Sequence, residues 1–160
     1  EAALLPTAVT DWEIHRKQIF CTDDSLGLCF NGRRQSTDRV VREKILETAK
    51  GQRLWMNSYS YSQFDKKSEN ILCDESFIVK AENNDFCFVE NVTVDLKKAD
   101  KLYLFCWNRS YPSDFKLDFS PERDGFILES SNDFKGYSHE KITLKIYSKT
   151  KLQSQEVTVK

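Results

Sequence analysis

Glycine, proline and histidine are scarce in this sequence, with five, three and two residues respectively. The few glycines form no phosphate-binding loop ahead of a helix, and no Gly-x-Ser-x-Gly nucleophile elbow occurs. No Cys-x-x-Cys or His-x-x-x-His spacing is present either, so the sequence carries no local signature of a zinc site. His15 and His139 both stand among charged residues, which favours solvated surface positions. These absences predict a protein that is not an enzyme and that has no metal and no cofactor.

Long apolar runs and an excess of one charge are also missing. No run approaches the ~20 apolar residues that span a bilayer, so we expect no membrane span. Lysine and arginine number 24 against 25 acidic residues, which gives a net charge of −1. A chain without a basic field is not expected to bind nucleic acid. The chain begins at Glu1 and not at a methionine, from which we expect a processed product.

Aromatic residues, by contrast, are abundant, with 11 Phe, six Tyr and three Trp. Beyond residue 53, apolar and polar residues alternate in several short runs, as in strands with one buried face. In Leu102–Trp107 all six residues are apolar, which predicts a central strand buried on both faces. Eight or nine short strands at roughly ten-residue spacing predict a mainly β fold, a two-sheet immunoglobulin-like β-sandwich formed by one domain over residues 1–160. A closed barrel is the alternative.

One helix is predicted, over residues 37–50. Thr37 or Asp38 can cap its N-terminus, and Gly51 is a natural stop. Apolar residues recur at every fourth position, at Val41, Ile45 and Ala49. The predicted architecture is therefore a β-sandwich with one short helix near its N-terminus.

Five cysteines in 160 residues favour an oxidising compartment and disulfide bonds. Cys73 and Cys87 flank two short apolar runs, and a bond between them would close the base of a hairpin. Cys21 and Cys29 are candidates for a second, local bond. Cys106 lies in the fully apolar run and is the candidate for a free thiol, although it is equally a possible partner of Cys21.

Two glycosylation sequons begin at Asn91 and Asn108. Together with the cysteines they predict a secreted or extracellular glycoprotein, with a cytosolic protein as the alternative. Basic residues gather in predicted loops, and we interpret them as a charged rim that faces an anionic head group or an acidic partner surface. The members of this rim are Arg33, Arg34, Lys97, Lys98 and Lys101.

The C-terminal part of the chain resembles the closing hairpin of the ML family of lipid-recognition domains. The resemblance rests on Phe134–Tyr137, Ile142–Tyr147 and Glu156–Val159. The segment Leu54–Asn57 with Cys73, the segment Asp85–Cys87, and Ile19–Cys21 are similar to other parts of that family. The resemblance implies a sandwich that opens between its sheets to take acyl chains or sterol. It also implies a set of cavity-lining residues, namely Trp55, Tyr59, Tyr61, Phe86, Phe88, Phe126 and Ile146.

Two functions remain open at this point. The first is a secreted binding domain with an apolar interior that takes a lipid or another apolar ligand. The second is an extracellular recognition module that binds a protein partner through loops or an aromatic sheet face.

Overall fold

The computed structural model describes residues 16–65 and 68–150. The first strands are β1 (Arg16–Thr22), β2 (Gly27–Phe30), β3 (Arg33–Arg34), β4 (Leu54–Met56) and β5 (Ile71–Cys73). The later strands are β6 (Phe86–Phe88), β7 (Ala99–Cys106), β8 (Phe115–Lys116), β9 (Phe126–Phe134) and β10 (Ile142–Lys149). The helices are α1 (Arg39–Thr48), α2 (Ser58–Tyr61), α3 (Phe77–Lys80) and α4 (Pro121–Asp124), with a 3-10 turn at Leu96–Lys98.

Seven of these strands form one mixed sheet in the order β5-β4-β6-β1-β7-β10-β9. Neighbouring strands from β5 to β7 run parallel, whereas β10 runs antiparallel to both β7 and β9. A small antiparallel sheet, β3-β2-β8, lies beyond the carboxyl end of β1. Parallel neighbours need crossover connections, and the helices between the strands supply them.

The helix α1 lies where the sequence predicts it. Asp38 is its N-cap, in extended conformation, and its carboxylate accepts hydrogen bonds from the first-turn amides of Val40 and Val41. Gly51 follows the helix with a φ of +83°, a left-handed conformation that suits glycine. The residues predicted for the apolar stripe are all buried, namely Val41, Ile45 and Ala49.

Helix α1 covers one face of the sheet, and α3 with the 115–126 segment covers the other. On the α1 face the core contains Ile19, Phe88 and Phe105. On the opposite face it contains Phe20 and Leu104, the sequence neighbours of two of them. Because successive side chains of a strand point to opposite faces, both faces of β1 and β7 are buried. The prediction of a central strand at Leu102–Trp107 is therefore confirmed, since β7 lies between β1 and β10.

The predicted β-sandwich is wrong, because the architecture is a mixed α/β sheet with helices on both faces. Much of the apparent alternation in residues 54–64 falls in a helix: β4 ends at Met56, and Asn57 caps α2 by accepting from the amide of Ser60. The run at Phe77 and Val79 is also helical and forms α3. In segments this short, tertiary packing decides between helix and strand. Strand content also begins before residue 53, with β1 at the centre of the sheet.

The predicted disulfides are wrong as well, since none of the five cysteines is in a disulfide bond. Cys73 lies on β5 and Cys87 on β6, with β4 between them. Two strand spacings amount to roughly 9.5 Å, beyond the reach of a disulfide. Cys21 packs against the α1 face, whereas Cys29 and Cys106 belong to the opposite face, so the sheet separates both alternative pairs. Cys106 has no disulfide partner, but neither does any of the other four.

Candidate functional site

The candidate site lies at the carboxyl edge of the parallel strands. From β1 the chain continues through α1 to β4 on one side of the sheet, and from β7 it continues to β9 and β10 on the other side. Such a reversal between adjacent strands opens a crevice at their carboxyl ends, where α/β proteins bind ligands. The side chains gathered at this edge are therefore the first to consider for function.

Asp38 anchors the edge to the C-terminal part of the chain. Besides the two amides of α1, its buried carboxylate accepts hydrogen bonds from the amides of Tyr137 and Ser138, at 3.0 and 2.9 Å. Gly136 permits this approach, because a Cβ at that position would lie 2.6 Å from Asp38 Oδ2. Burial by itself raises the pKa of Asp38, but the amide hydrogen bonds and the His139 ring outweigh it and hold the pKa well below its ordinary value. Asp38 is thus a fixed negative charge.

His139 connects this charge to a serine hydroxyl. Its Nδ1 lies 2.8 Å from Asp38 Oδ2, and its Nε2 lies 2.9 Å from Ser36 Oγ. The imidazole stacks on the Trp107 ring, with the ring centroids 4.7 Å apart. The side chain of His139 is 9% exposed, so the solvated surface position predicted for it is wrong. A hydroxyl, an imidazole and a buried carboxylate in this order form the geometry of a nucleophile, its base and the group that orients the base.

A buried ion pair lies at the same edge, where β6 ends. The Arg34 Nε and one terminal nitrogen donate to the two oxygens of Glu90, at 2.8 and 3.0 Å. Ser60 Oγ and Gln63 Nε2 also donate to this carboxylate, at 2.8 and 3.2 Å. The Arg34 guanidinium stacks on the Tyr59 ring at 4.2 Å. Glu90 is only 6% exposed, and its carboxylate is fully engaged within the protein.

Four of the thiols, those of Cys21, Cys29, Cys87 and Cys106, are not activated nucleophiles. Burial, with the Glu90 carboxylate adding to it, raises the pKa of Cys29 to about 11. Burial also raises the pKa of Cys21, again with Glu90 adding to it, and the pKa of Cys106. Burial raises the pKa of Cys87 to about 12. A thiol with a raised pKa stays protonated at neutral pH and is a poor nucleophile.

The structure disperses the predicted charged rim. Arg33 and Arg34 lie on β3 at the carboxyl edge, and Arg34 is taken up by Glu90. Lys97 and Lys98 lie on the 3-10 turn that precedes β7, and Lys101 lies near the start of β7. The lysines are therefore at the amino edge of the sheet, at the opposite end from the arginines.

The predicted cavity-lining residues are not brought together either. Trp55 and Phe126 pack on the α3 face, whereas Tyr61, Phe86 and Phe88 pack on the α1 face. Tyr59 stacks on Arg34, and Ile146 lies on β10 opposite Tyr103. The sheet itself separates the two main groups, so they line no common cavity.

The two sequon asparagines lie at the carboxyl edge, and their glycosylation stays a prediction. Asn91 Oδ1 accepts a hydrogen bond from Asn57 Nδ2 at 2.9 Å. The Asn108 Nδ2, the atom that a glycan would modify, donates to Thr143 Oγ1 at 2.9 Å.

Comparison with known proteins gives a likeness of fold. No protein-family model matches the sequence, and no curated protein sequence matches it. Among solved structures, the chain is similar to dihydrofolate reductase from Enterococcus faecalis, a structure that contains NADP(H) and the compound RAB-propyl. The TM-score is 0.57 at 10% identity, and the match covers 85% of this chain and 96% of that one. At this identity the comparison establishes the α/β fold, and that fold is one used by an enzyme.

These findings correct the functional expectations from the sequence. The resemblance to ML domains is wrong, since the fold is that of a dihydrofolate reductase. The expectation of a secreted or extracellular protein that binds an apolar ligand or a protein partner is corrected with it, because the sandwich and the disulfides on which it depended do not form. The expectation that the chain is not an enzyme is corrected as well, because the fold that it takes is one that a dihydrofolate reductase uses. Within residues 16–65 and 68–150, no helix has the length and apolar character needed to cross a bilayer.

The fold raises the question of whether this chain fits NADP(H), whose pyrophosphate needs free amides at a helix N-terminus or free cations. The chain's own carboxylates accept hydrogen bonds from amides at the first turns of its helices, with Asp38 at α1 and Glu75 at α2. Arg34, the cation at the end of β6, is neutralised by Glu90. Asp38, Glu75 and Glu90 therefore already engage these groups, and the groups do not fit a pyrophosphate.

Sequence reasoning missed Ser36, His139 and Glu90 as site residues, and identified Asp38 only as a helix cap. The one local signal was the spacing of Ser36 and Asp38 just before α1. Their partner, His139, lies 101 residues from Asp38 in the sequence. No local motif connects positions so distant, and only the fold brings them together.

Proposed function

We propose that this protein is an enzyme that catalyses acyl transfer, with Ser36 as the nucleophile, His139 as the general base and Asp38 as the orienting carboxylate. The observation that carries the proposal is the continuous path from Ser36 Oγ to His139 Nε2 at 2.9 Å and from His139 Nδ1 to Asp38 Oδ2 at 2.8 Å. Both distances lie within the range over which a base and a nucleophile exchange a proton.

Each of the three groups has an environment suited to its role. Asp38 is buried and negatively charged, so it stabilises the imidazolium that forms when His139 takes a proton. Stacking on Trp107 fixes the plane of the imidazole. Ser36 is half-buried, so its hydroxyl can be reached by a small substrate.

The reaction has two halves. Ser36 Oγ attacks the carbonyl carbon of an ester or amide while His139 Nε2 takes the hydroxyl proton and then gives it to the departing alcohol or amine. The resulting ester on Ser36 is attacked by water, whose proton passes to His139 and then back to Ser36 Oγ as the acid is released. The pathway needs no cofactor.

The proposal is tested by labelling with a fluorophosphonate probe and by hydrolysis of p-nitrophenyl acetate. We expect Ser36→Ala to abolish labelling and His139→Gln to slow hydrolysis at least 100-fold. Ser131→Ala, on the exposed surface of β9, is the control and should keep full activity. Labelling at any residue other than Ser36, or equal activity of all the variants, would overturn the proposal.

A second candidate function, an NADP(H)-dependent reductase, is favoured by the fold likeness alone. The two candidates are separated by titrating the protein into NADPH and following the nucleotide fluorescence. We expect no saturable binding of NADPH at concentrations up to about 1 mM. A dissociation constant in the micromolar range would favour the reductase and would count against acyl transfer.

A further inference from the structure

A cleft at the amino edge of the sheet has polar atoms that the protein does not satisfy. It has a volume of about 240 Å³ and lies on the α3 face, away from Ser36. Its walls are formed by Arg16, Gln18, Ile78, Val79, Val94, Asp95 and Lys98. No part of the proposed acyl-transfer site borders it.

Two buried atoms of β1 have no hydrogen-bond partner among the described residues: Gln18 Oε1 and Arg16 Nε. The Gln18 residue is only 3% exposed. The Arg16 side chain is held in place, because its terminal nitrogen donates to the carbonyl of Ile78 at 2.8 Å. Buried polar atoms are nearly always paired in proteins, by protein groups, ordered water or a ligand, so the two orphans in this cleft are open to a partner from outside the described residues.

The two atoms are complementary in kind and lie on the same side of the sheet. Residues two apart on a strand point to one face, roughly 6.6 Å from each other along the chain. Gln18 Oε1 can only accept a hydrogen bond, and Arg16 Nε can only donate one. A single ligand that satisfies both must therefore carry a hydrogen-bond donor and an acceptor, and an amide edge, with an N–H beside a C=O, supplies the two.

The walls of the cleft further restrict the class of molecule that can bind there. Ile78, Val79 and Val94 are apolar, and Val79 is 81% exposed, unusual for such a side chain. The volume equals that of about eight water molecules at ~30 Å³ each, the size of one small ring system. Apolar walls with a few polar groups that fix orientation are typical of small-molecule sites.

We propose that this cleft binds a small, flat molecule with amide-type edges, such as a pyrimidine-dione ring. The ring's N–H donates to Gln18 Oε1, a ring carbonyl accepts from Arg16 Nε, and the valine and isoleucine side chains cover its faces. This site is independent of the proposed acyl-transfer activity.

The experiment uses uracil as the probe and follows amide shifts of the whole chain by ¹H–¹⁵N NMR. We expect saturable shifts centred on Ile78, Val94 and the Gln18 side chain. The matched ligand control is 1,3-dimethyluracil, which keeps the ring and its carbonyls but has no N–H, and we expect it to bind at least tenfold more weakly.

Two variants complete the test. Gln18→Met keeps the length of the side chain and removes the acceptor, so uracil binding should weaken at least tenfold while the spectrum stays that of a folded protein. Ser36→Ala should bind uracil as the unmodified chain does, which separates this site from the proposed active site. The absence of saturable shifts, equal binding of the two ligands, or unchanged binding by Gln18→Met would each overturn the proposal.

Discussion

Two clusters of buried polar groups, one at each edge of the sheet, differ in how fully their hydrogen bonds are satisfied. At the carboxyl edge, Glu90 accepts from three side chains, and Asp38 accepts from four backbone amides and a histidine. At the amino edge, Gln18 Oε1 and Arg16 Nε meet no partner within the described part of the chain.

This difference in hydrogen bonding suits the two groups of residues to different functions. A satisfied polar network is rigid, and it holds Ser36 and His139 in register without a ligand. An unsatisfied pair is costly in the absence of a partner and gains free energy when one binds. The first edge is therefore preorganised for chemistry, and the second is suited to binding.

The largest expected effect comes from Glu90→Ala at the carboxyl edge. Removing the carboxylate leaves Arg34, 19% exposed, without its partner, and should lower the free energy of unfolding by about 3–5 kcal/mol. Urea denaturation measures this loss. Glu82→Ala is the control, because its ion pair with Arg53 is exposed and should contribute under ~1 kcal/mol. Similar losses for both variants would show that the Glu90 pair is no stronger than a surface contact.

A smaller loss is expected from Asp38→Ala. The change removes the cap of α1 and the anchor of Tyr137 and Ser138, and should cost about 2–3 kcal/mol in urea denaturation. Asp118→Ala is the matched control, because Asp118 is 89% exposed and should change stability by under ~0.5 kcal/mol. An Asp38→Ala variant as stable as this control would contradict the role of Asp38 as an anchor.

Acid should weaken the carboxyl edge of the sheet. Burial raises the pKa of Asp23, but hydrogen bonds from the amides of Tyr111, Gly27 and Ser25 outweigh it and lower the pKa, as they do for Asp38. A carboxyl group whose pKa is lowered by folding stabilises the protein at pH values above its unfolded-state pKa of about 3.9. This stabilisation is lost as the pH falls toward the folded-state pKa. Stability should therefore decline below about pH 4, and Asp38→Asn should flatten that decline. An unchanged slope in the variant would refute the assignment.

The smallest effect, and one of opposite sign, is expected from Gln18→Met at the amino edge. Replacing an unpaired buried carboxamide by an apolar group of similar length should leave stability unchanged or raise it by up to ~1 kcal/mol. Thermal unfolding without added ligand measures the change. A loss above ~2 kcal/mol would mean that the carboxamide is already satisfied, and the contrast between the two edges would disappear.

The elements predictable from sequence are those fixed by local chemistry. Asp38 and the apolar positions of α1 identify a capped amphipathic helix by themselves. Asn31 and Gly32 both have positive φ, at 52° and 73°, and join β2 to β3 in the tight turn that this dipeptide favours. The continuous apolar run of β7 predicts its central position.

The rest of the fold depends on pairing between strands that are distant in sequence. Strands β4, β5 and β6 have three residues each, too few to show any periodicity. Their parallel pairing becomes possible only through the helices that connect them. The alternation beyond residue 53 is equally compatible with the antiparallel pairs of a sandwich, so it does not distinguish a sandwich from this sheet.

The sequence by itself determined the helix α1, its cap, one hairpin turn and one central strand, since these depend on residues within a few positions of each other. Only the tertiary structure decided the order of the strands and the separation of the cysteines by the sheet. It also decided the meeting of Ser36, Asp38 and His139 and the orphaned atoms of Gln18 and Arg16. The physical reason is that burial and hydrogen bonding depend on pairs of groups that are distant in the sequence. A chain brings such pairs together only when it folds.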